Sequence, residues 1–226
     1  MIEEKKQKKY VPKVHSKLRH SFIVIPEEIY ACSGINIFEK RIKSLIFTTD
    51  LAIIRNNNAD SVMCVYPYTP QTTITQSVIS TASVPCFIGV GGGTTSGLRT
   101  KYMALSSELD GAYGVVVNAP IPNEDIKAIS EFLDIPVIAT ITSMKDDIIG
   151  KINAGAEILN ISGAAKTPEI VKEIRGLVGN TFPIIATGGH SSESIKATIA
   201  AGANAISYTP PSSAEVFGTV MENYRK

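Results

Sequence analysis

The 226-residue chain has no tryptophan, only three cysteines and three histidines, and almost no net charge, +1 with histidine neutral. Each shortage excludes something. Cys32, Cys64 and Cys86 are odd in number and lack CxxC spacing, so neither a disulfide scaffold nor a zinc ribbon is expected, and buried thiols in a reducing compartment fit instead. The near balance of charge leaves no basic field for nucleic acid and no acidic tract that would favour disorder. No run of about 18 apolar residues is present, and the N-terminal lysines are not followed by an apolar segment, so no membrane span or signal peptide is expected and the protein is placed in the cytoplasm. There is no HxH, HExxH or acidic cluster with ligand spacing, and no nucleophile elbow. The expectation is no metal and no cofactor.

What is present is a rhythm. Residues 1–43 read as a basic tail, EEKKQKKYVPKVHSKLRH, and an N-terminal extension with a strand or small hairpin, whose apolar residues would cover the bottom of a barrel. From residue 44 onward, eight short apolar runs follow: SLIFTT (44–49), SVMCVY (61–66), CFIGV (86–90), GVVVN (114–118), PVIATI (136–141), EILNI (157–161), PIIAT (183–187) and NAISY (204–208). They are continuously apolar rather than alternating, as strands of a parallel sheet covered on both faces must be. Between them lie amphipathic segments such as DIKAISEFL (125–133) and EIVKEIRGLV (169–178), the latter opened by Thr167 as a cap and Pro168 at the first helical position.

Small residues recur before the even-numbered runs, as Asn-Ala-Asp, Asp-Gly-Ala, Ala-Gly-Ala-Glu and Ala-Gly-Ala-Asn, where each outer helix would turn into the next strand. The rival is a doubly wound open sheet. Eight units and a glycine pair after the seventh favour an α/β fold of the (β/α)8 TIM barrel type spanning 44–226, with the N-terminal extension beneath it.

In such a barrel, chemistry sits in the loops after each strand. Gly188, Gly189 and Ser191 after the seventh run, with Ser212 and Ser213 after the eighth, are placed to aim backbone N–H groups and two helix dipoles at one phosphate. A second ligand loop, Gly91, Gly92, Gly93 and Thr94 with Arg99 beyond, could cradle another anion or act as a lid. It is not a GxGxxG fingerprint, which disfavours a nicotinamide dinucleotide. Tyr66, Asn118, Thr140, Asn160, Ser162 and Tyr208 would line the pocket.

Candidates for proton transfer are few. Asp50 is the leading base or metal ligand, or equally the N-cap of the segment behind it. His190, the only histidine outside the tail, would donate to a phosphate, move a proton, or lie at the surface. Lys166 remains a candidate at the sixth loop, although no lysine lies within the later runs, where a Schiff base would need a desolvated amine.

The segment PIIATGGHSSESIKATIAAGANAISYTPP resembles the end of the phosphate-binding TIM barrels, among them thiamine-phosphate synthase, the keto-deoxy-phosphogluconate type of aldolase and the histidine-biosynthesis isomerases; it is also similar to flavin-binding barrels. The resemblance covers about the last quarter of the chain and implies a phosphate cradle on Gly188, Gly189, Ser212 and Ser213. It departs from the aldolases in lacking the strand lysine and from the isomerases in having one strand-end aspartate. The expectation is an enzyme of lyase or isomerase type acting on a small phosphorylated metabolite by proton transfer or carbon–carbon bond chemistry. The alternatives are an FMN-dependent oxidoreductase and a non-catalytic barrel that binds a phosphorylated ligand. Neither nucleic acid nor membrane is an expected partner, and a homo-oligomer is possible.

Overall fold

The computed structural model describes residues 10, 12, 14, 23–189 and 191–225. The basic tail and His190 lie outside the described residues, apart from three isolated tail positions. A 3-10 turn, Glu27–Ala31, leads into a hairpin of β1 (Ile35–Ile37) and β2 (Lys40–Ile42). Eight parallel strands then close on themselves: β3 (Ser44–Phe47), β4 (Ser61–Cys64), β5 (Cys86–Gly91), β6 (Gly114–Val117), β7 (Val137–Ile141), β8 (Ile158–Ile161), β9 (Ile184–Thr187) and β10 (Ala205–Tyr208), with β10 paired to β3. The fold is a (β/α)8 barrel.

The intervening helices are α1 (Leu51–Arg55), α2 (Thr72–Thr81), α3 (Gly97–Leu109), α4 (Asn123–Ser130), α5 (Ile148–Asn153), α6 (Thr167–Val178), α7 (Ser192–Ala200) and α8 (Ser213–Tyr224). Helical spacing of branched residues sets which face is buried: Ile126 and Ile129 on α4, and Ile170, Val171 and Ile174 on α6, are covered against the strands. The recurring small residues have a geometric reason. Gly111, Gly155 and Gly202 leave α3, α5 and α7 with φ of +100°, +108° and +114°, a region L side chains rarely adopt.

Helix α6 starts one residue earlier than its sequence suggests. The Thr167 hydroxyl accepts from the Gly163 N–H at 3.0 Å and donates to the Ala164 carbonyl at 2.9 Å, so it ties the preceding turn instead of capping the helix.

Two buried clusters result. One lies between strands and helices. The other fills the barrel, where Leu45, Met63, Phe87, Val116, Ile138 and Ile185 meet Ile35, Ile37 and Ile42 of the hairpin. The hairpin turn places Phe38 and Glu39 at φ of +46° and +62°, and Phe38 packs edge-on against the Tyr113 ring with centroids 5.5 Å apart.

Candidate functional site at the barrel mouth

The strand registers determine which side chains face inward and at what height. Interior positions stack in four-residue layers drawn from alternate strands: Leu45, Phe87, Ile138 and Ile185; above them Met63, Val116, Asn160 and Ser207; and at the mouth Phe47, Gly89, Thr140 and Thr187. The lower layer is wholly apolar. The upper two divide: the β3–β6 side offers apolar side chains or glycine, and the β7–β10 side offers threonine, asparagine and serine.

Asn160, 7% exposed, donates from Nδ2 to the Thr140 hydroxyl at 3.3 Å, while its Oδ1 is buried with no partner. A buried amide oxygen left unpaired is costly, which marks this point of the mouth.

Two adjoining clefts open at the mouth, one on the apolar side and one where the loops after β3 and β10 meet. One, about 300 Å³, is lined by Val65, Tyr66, Tyr68, Gly89, Gly91–Thr94, Asn118 and Pro120. The other, about 360 Å³, is lined by Thr48, Thr49, Asp50, Tyr66, Thr209, Pro210 and Ser212. Val65, Tyr66 and Pro67 form the wall they share, and Tyr66 carries its one side-chain hydroxyl. That hydroxyl accepts the Gln71 N–H at 2.9 Å, and burial raises the phenol pKa, so the oxygen keeps its proton and can donate it to a ligand.

The glycine loop is shaped by close approach. Gly92 has φ +94°, and a Cβ there would lie 2.7 Å from Asn118 Cβ and 2.8 Å from the Asn118 nitrogen, whereas at Gly93, φ +69°, it would meet nothing. Gly92 gives its N–H to the Thr95 carbonyl at 2.7 Å. Behind the loop, the Thr95 and Thr100 hydroxyls are buried without partners. The loop is tied to α4 by Asp125, which accepts the Gly97 N–H at 2.7 Å. Arg99 is exposed on α3 and lines neither cleft.

The glycine and serine turns after β9 and β10 carry internal partners. Gly188 donates its N–H to the Ser207 carbonyl at 3.2 Å, and the Ser191 hydroxyl accepts from the Ser194 N–H at 3.1 Å as the cap of α7. At α8, Ser212 and Glu215 form a reciprocal capping box, with the Ser212 N–H on the Glu215 carboxylate at 2.7 Å. Asp50 reaches the same helix end. The Ser213 hydroxyl beside it holds the carboxyl below the usual aspartate range, burial partly opposes this, and Oδ1 also accepts the Ala52 and Ile53 N–H groups at 2.8 and 3.2 Å. Of the two readings open for Asp50, the structure supplies the N-cap of α1.

Lys166 and Ser162 are exposed beyond β8, and Tyr208 packs on the core. Two residues escaped the sequence reading. Asp146, in the loop after β7, accepts the N–H groups of Thr142 and Ser143 at 2.7 and 3.1 Å; the Ser-x-x-Asp spacing was its signal. Lys151 on α5, 3% exposed, donates to the Ala119 and Ile121 carbonyls at 3.0 and 3.2 Å and so fixes the loop after β6. Nothing in the sequence distinguishes it from a surface lysine.

No family model and no curated protein matches the chain. Solved structures match by fold. Phosphonopyruvate hydrolase is 14% identical with a TM-score of 0.66, over 84% of this chain and 83% of that one. Phosphoenolpyruvate phosphomutase from Streptomyces platensis subsp. rosaceus is 13% identical with a TM-score of 0.64, over 88% and 83%. 2,3-Dimethylmalate lyase, a PEP mutase/isocitrate lyase superfamily member, is 12% identical with a TM-score of 0.60, over 80% and 79%. At these identities the likeness establishes the barrel. It does not carry the specific resemblance to thiamine-phosphate synthase and the keto-deoxy-phosphogluconate aldolases.

The neighbours also correct the expectation of no metal or cofactor, because phosphonopyruvate hydrolase is solved in complex with oxalate and Mg2+. Among the described residues no three His, Cys, Asp or Glu side chains converge. Asp50 and Asp146 follow β3 and β7, on opposite sides of the ring, and each is engaged by backbone donors. These residues do not by themselves supply the oxygen set a hard divalent cation takes, and no step below is routed through a metal.

No helix among the described residues is long and apolar enough to cross a membrane.

Proposed function

We propose that the chain is an enzyme of lyase or mutase type whose barrel mouth binds a small phosphorylated or carboxylate metabolite. The observation that carries the reading is the juxtaposition of the glycine-floored cleft with a polar interior quadrant holding an unpaired amide. Gly89 contributes no side chain to the top layer, so the cleft beside Tyr66 reaches into the barrel. The named neighbours, a phosphonopyruvate hydrolase, a phosphoenolpyruvate phosphomutase and a dimethylmalate lyase, support the substrate class.

In this reading the backbone of Gly93 and Thr94 meets the anionic end, with N–H groups for which no acceptor is found among the described residues. The Tyr66 phenol donates to a ligand oxygen and is the group able to hold or pass a proton there. Asn118, behind Gly92, fixes the loop, and Thr140 with Asn160 meets the other end. Asp50, already holding helix N–H groups, is a weak base and serves to position α1 and α8.

A thermal-shift series with inorganic phosphate, oxalate and phosphoenolpyruvate, each with and without added Mg2+, tests the reading. At least one anion at millimolar concentration should raise the melting temperature, and Tyr66→Phe should weaken that response. If none does, the reading fails. A ligand-binding barrel without turnover is the second reading, favoured by the engagement of both Asp50 and Asp146 in the backbone; phosphonopyruvate or phosphoenolpyruvate bound but left intact would select it.

A further inference from the structure

The geometry points to Asn160 as the residue that selects a hydroxylated acid over its keto counterpart, a conclusion that rests on the ligand class proposed above. Asn160 follows Ile158 by two positions on β8, and Ile158 lies in the barrel-filling cluster, so strand alternation turns the Asn160 side chain inward as well. It occupies the layer just beneath the mouth, beside Thr140 on the paired position of β7. The Thr140 hydroxyl takes one edge of the amide and leaves Oδ1 unpaired. The other members of its layer are Met63 and Val116, which offer no donor, and Ser207, whose hydroxyl makes no hydrogen bond to Oδ1.

An unpaired carbonyl oxygen at that depth accepts and cannot donate. A ligand whose anionic end sits in the glycine loop completes the amide only if it carries a hydrogen-bond donor toward β8. A secondary hydroxyl next to a carboxylate does this. A ketone at the same carbon sets two acceptors against each other and leaves Oδ1 buried and unpaired, which is the stronger kind of discrimination a polar pocket can exert.

Isothermal titration of the full chain with each enantiomer of lactate and malate, with pyruvate and oxaloacetate as the keto partners and oxalate as a donor-free control, reads this out. The better hydroxy enantiomer should bind roughly tenfold tighter than its keto partner, the worth of one buried acceptor left unpaired. Asn160→Leu should erase that gap by weakening the hydroxy acid selectively, without a matching loss of oxalate affinity; Asn160→Ala serves if the leucine variant does not fold, and the wild-type comparison decides if neither does. Equal binding of hydroxy and keto acids, a gap that survives in the variant, or loss of oxalate in step with the hydroxy acids would overturn the assignment. A preference for the keto acids would mean that Nδ2 faces the ligand and would overturn it too. If oxalate binds without any hydroxyl preference, only this inference falls. If no probe binds, oxalate included, the proposed ligand class falls with it.

Discussion

Lys151 Nζ lies 3.0 Å from the carbonyl oxygen of Ala119, although the two residues are 32 positions apart and belong to different strand-helix units. The lysine is nearly fully buried and its pKa is lowered, burial outweighing the nearby Asp146 and Asp147. It acts as a fixed donor for the loop that carries Asn118 and Pro120 into the cleft. Lys151→Met keeps the stem and removes the donor, so the Ala119 and Ile121 carbonyls lose their partner at a cost of about 1–3 kcal/mol. Urea unfolding of the two proteins at neutral pH measures it, and an unchanged midpoint would show that water replaces the ammonium without loss.

The buried thiols set an alkaline limit. Burial pushes Cys32 and Cys64 up to about 11 and Cys86 up to about 12. In the unfolded chain a thiol ionises near ~8.5, so below that pH both states are protonated and the contribution is complete. Above it the unfolded chain sheds protons that the folded chain keeps, and stability falls with pH until the folded thiols ionise. Unfolding free energy should therefore decline from pH ~8.5 toward the folded values. A Cys32→Ala, Cys64→Ala, Cys86→Ala protein should be less stable at neutral pH yet flatter across that window. An equally steep decline in the variant would place the alkaline dependence elsewhere.

How much of this could be read from the chain differs between fold and site, for physical reasons. Strands covered on both faces announce themselves as unbroken apolar runs, so all eight barrel strands begin within one residue of those runs. Their ends were less legible: Thr48 and Thr49 continue the run of β3 but already belong to the loop. The site was half legible. Position on a strand end marks Asp50, Tyr66, Asn118 and Asn160 as neighbours of the mouth, but whether a polar atom is free depends on partners far away. Asp50 is tied by Ser213, and Asn160 is left open because Thr140 takes one edge only. Lys151 was invisible because its acceptors are backbone carbonyls, which leave no trace in side-chain spacing.

Adjacent glycines of the loop after β5 should respond differently to one added methyl group. Both have positive φ, which costs an L residue about 1–2 kcal/mol. Gly93→Ala should incur only that, since its Cβ would enter open space. Gly92→Ala must in addition displace Asn118, against both its Cβ and its backbone nitrogen, for a further ~1–3 kcal/mol. Because Asn118 lines the cleft, the Gly92 variant should also lose the anion-induced thermal shift, while the Gly93 variant keeps most of it. Matching responses would mean that the loop moves freely and does not register against Asn118.

Asp50 is where a structural and a chemical role separate most cleanly. As a cap it accepts the Ala52 and Ile53 N–H groups and sits against Ser213. Asn caps a helix about as well as Asp, so Asp50→Asn should hold the melting temperature close to wild type, whereas Asp50→Ala should cost about 1 kcal/mol. Because its carboxyl pKa is lowered in the folded protein, the charge contributes stability above the unfolded value near ~3.9 and loses it as pH falls through the folded one. The asparagine variant should lack that acid-side decline. Once a substrate is in hand, the same variant decides the chemistry. A general base converted to an amide would lose activity by a factor of about 100 or more with the fold intact. A cap would leave turnover within a few-fold of wild type, the outcome that two N–H groups on one carboxylate oxygen lead us to expect.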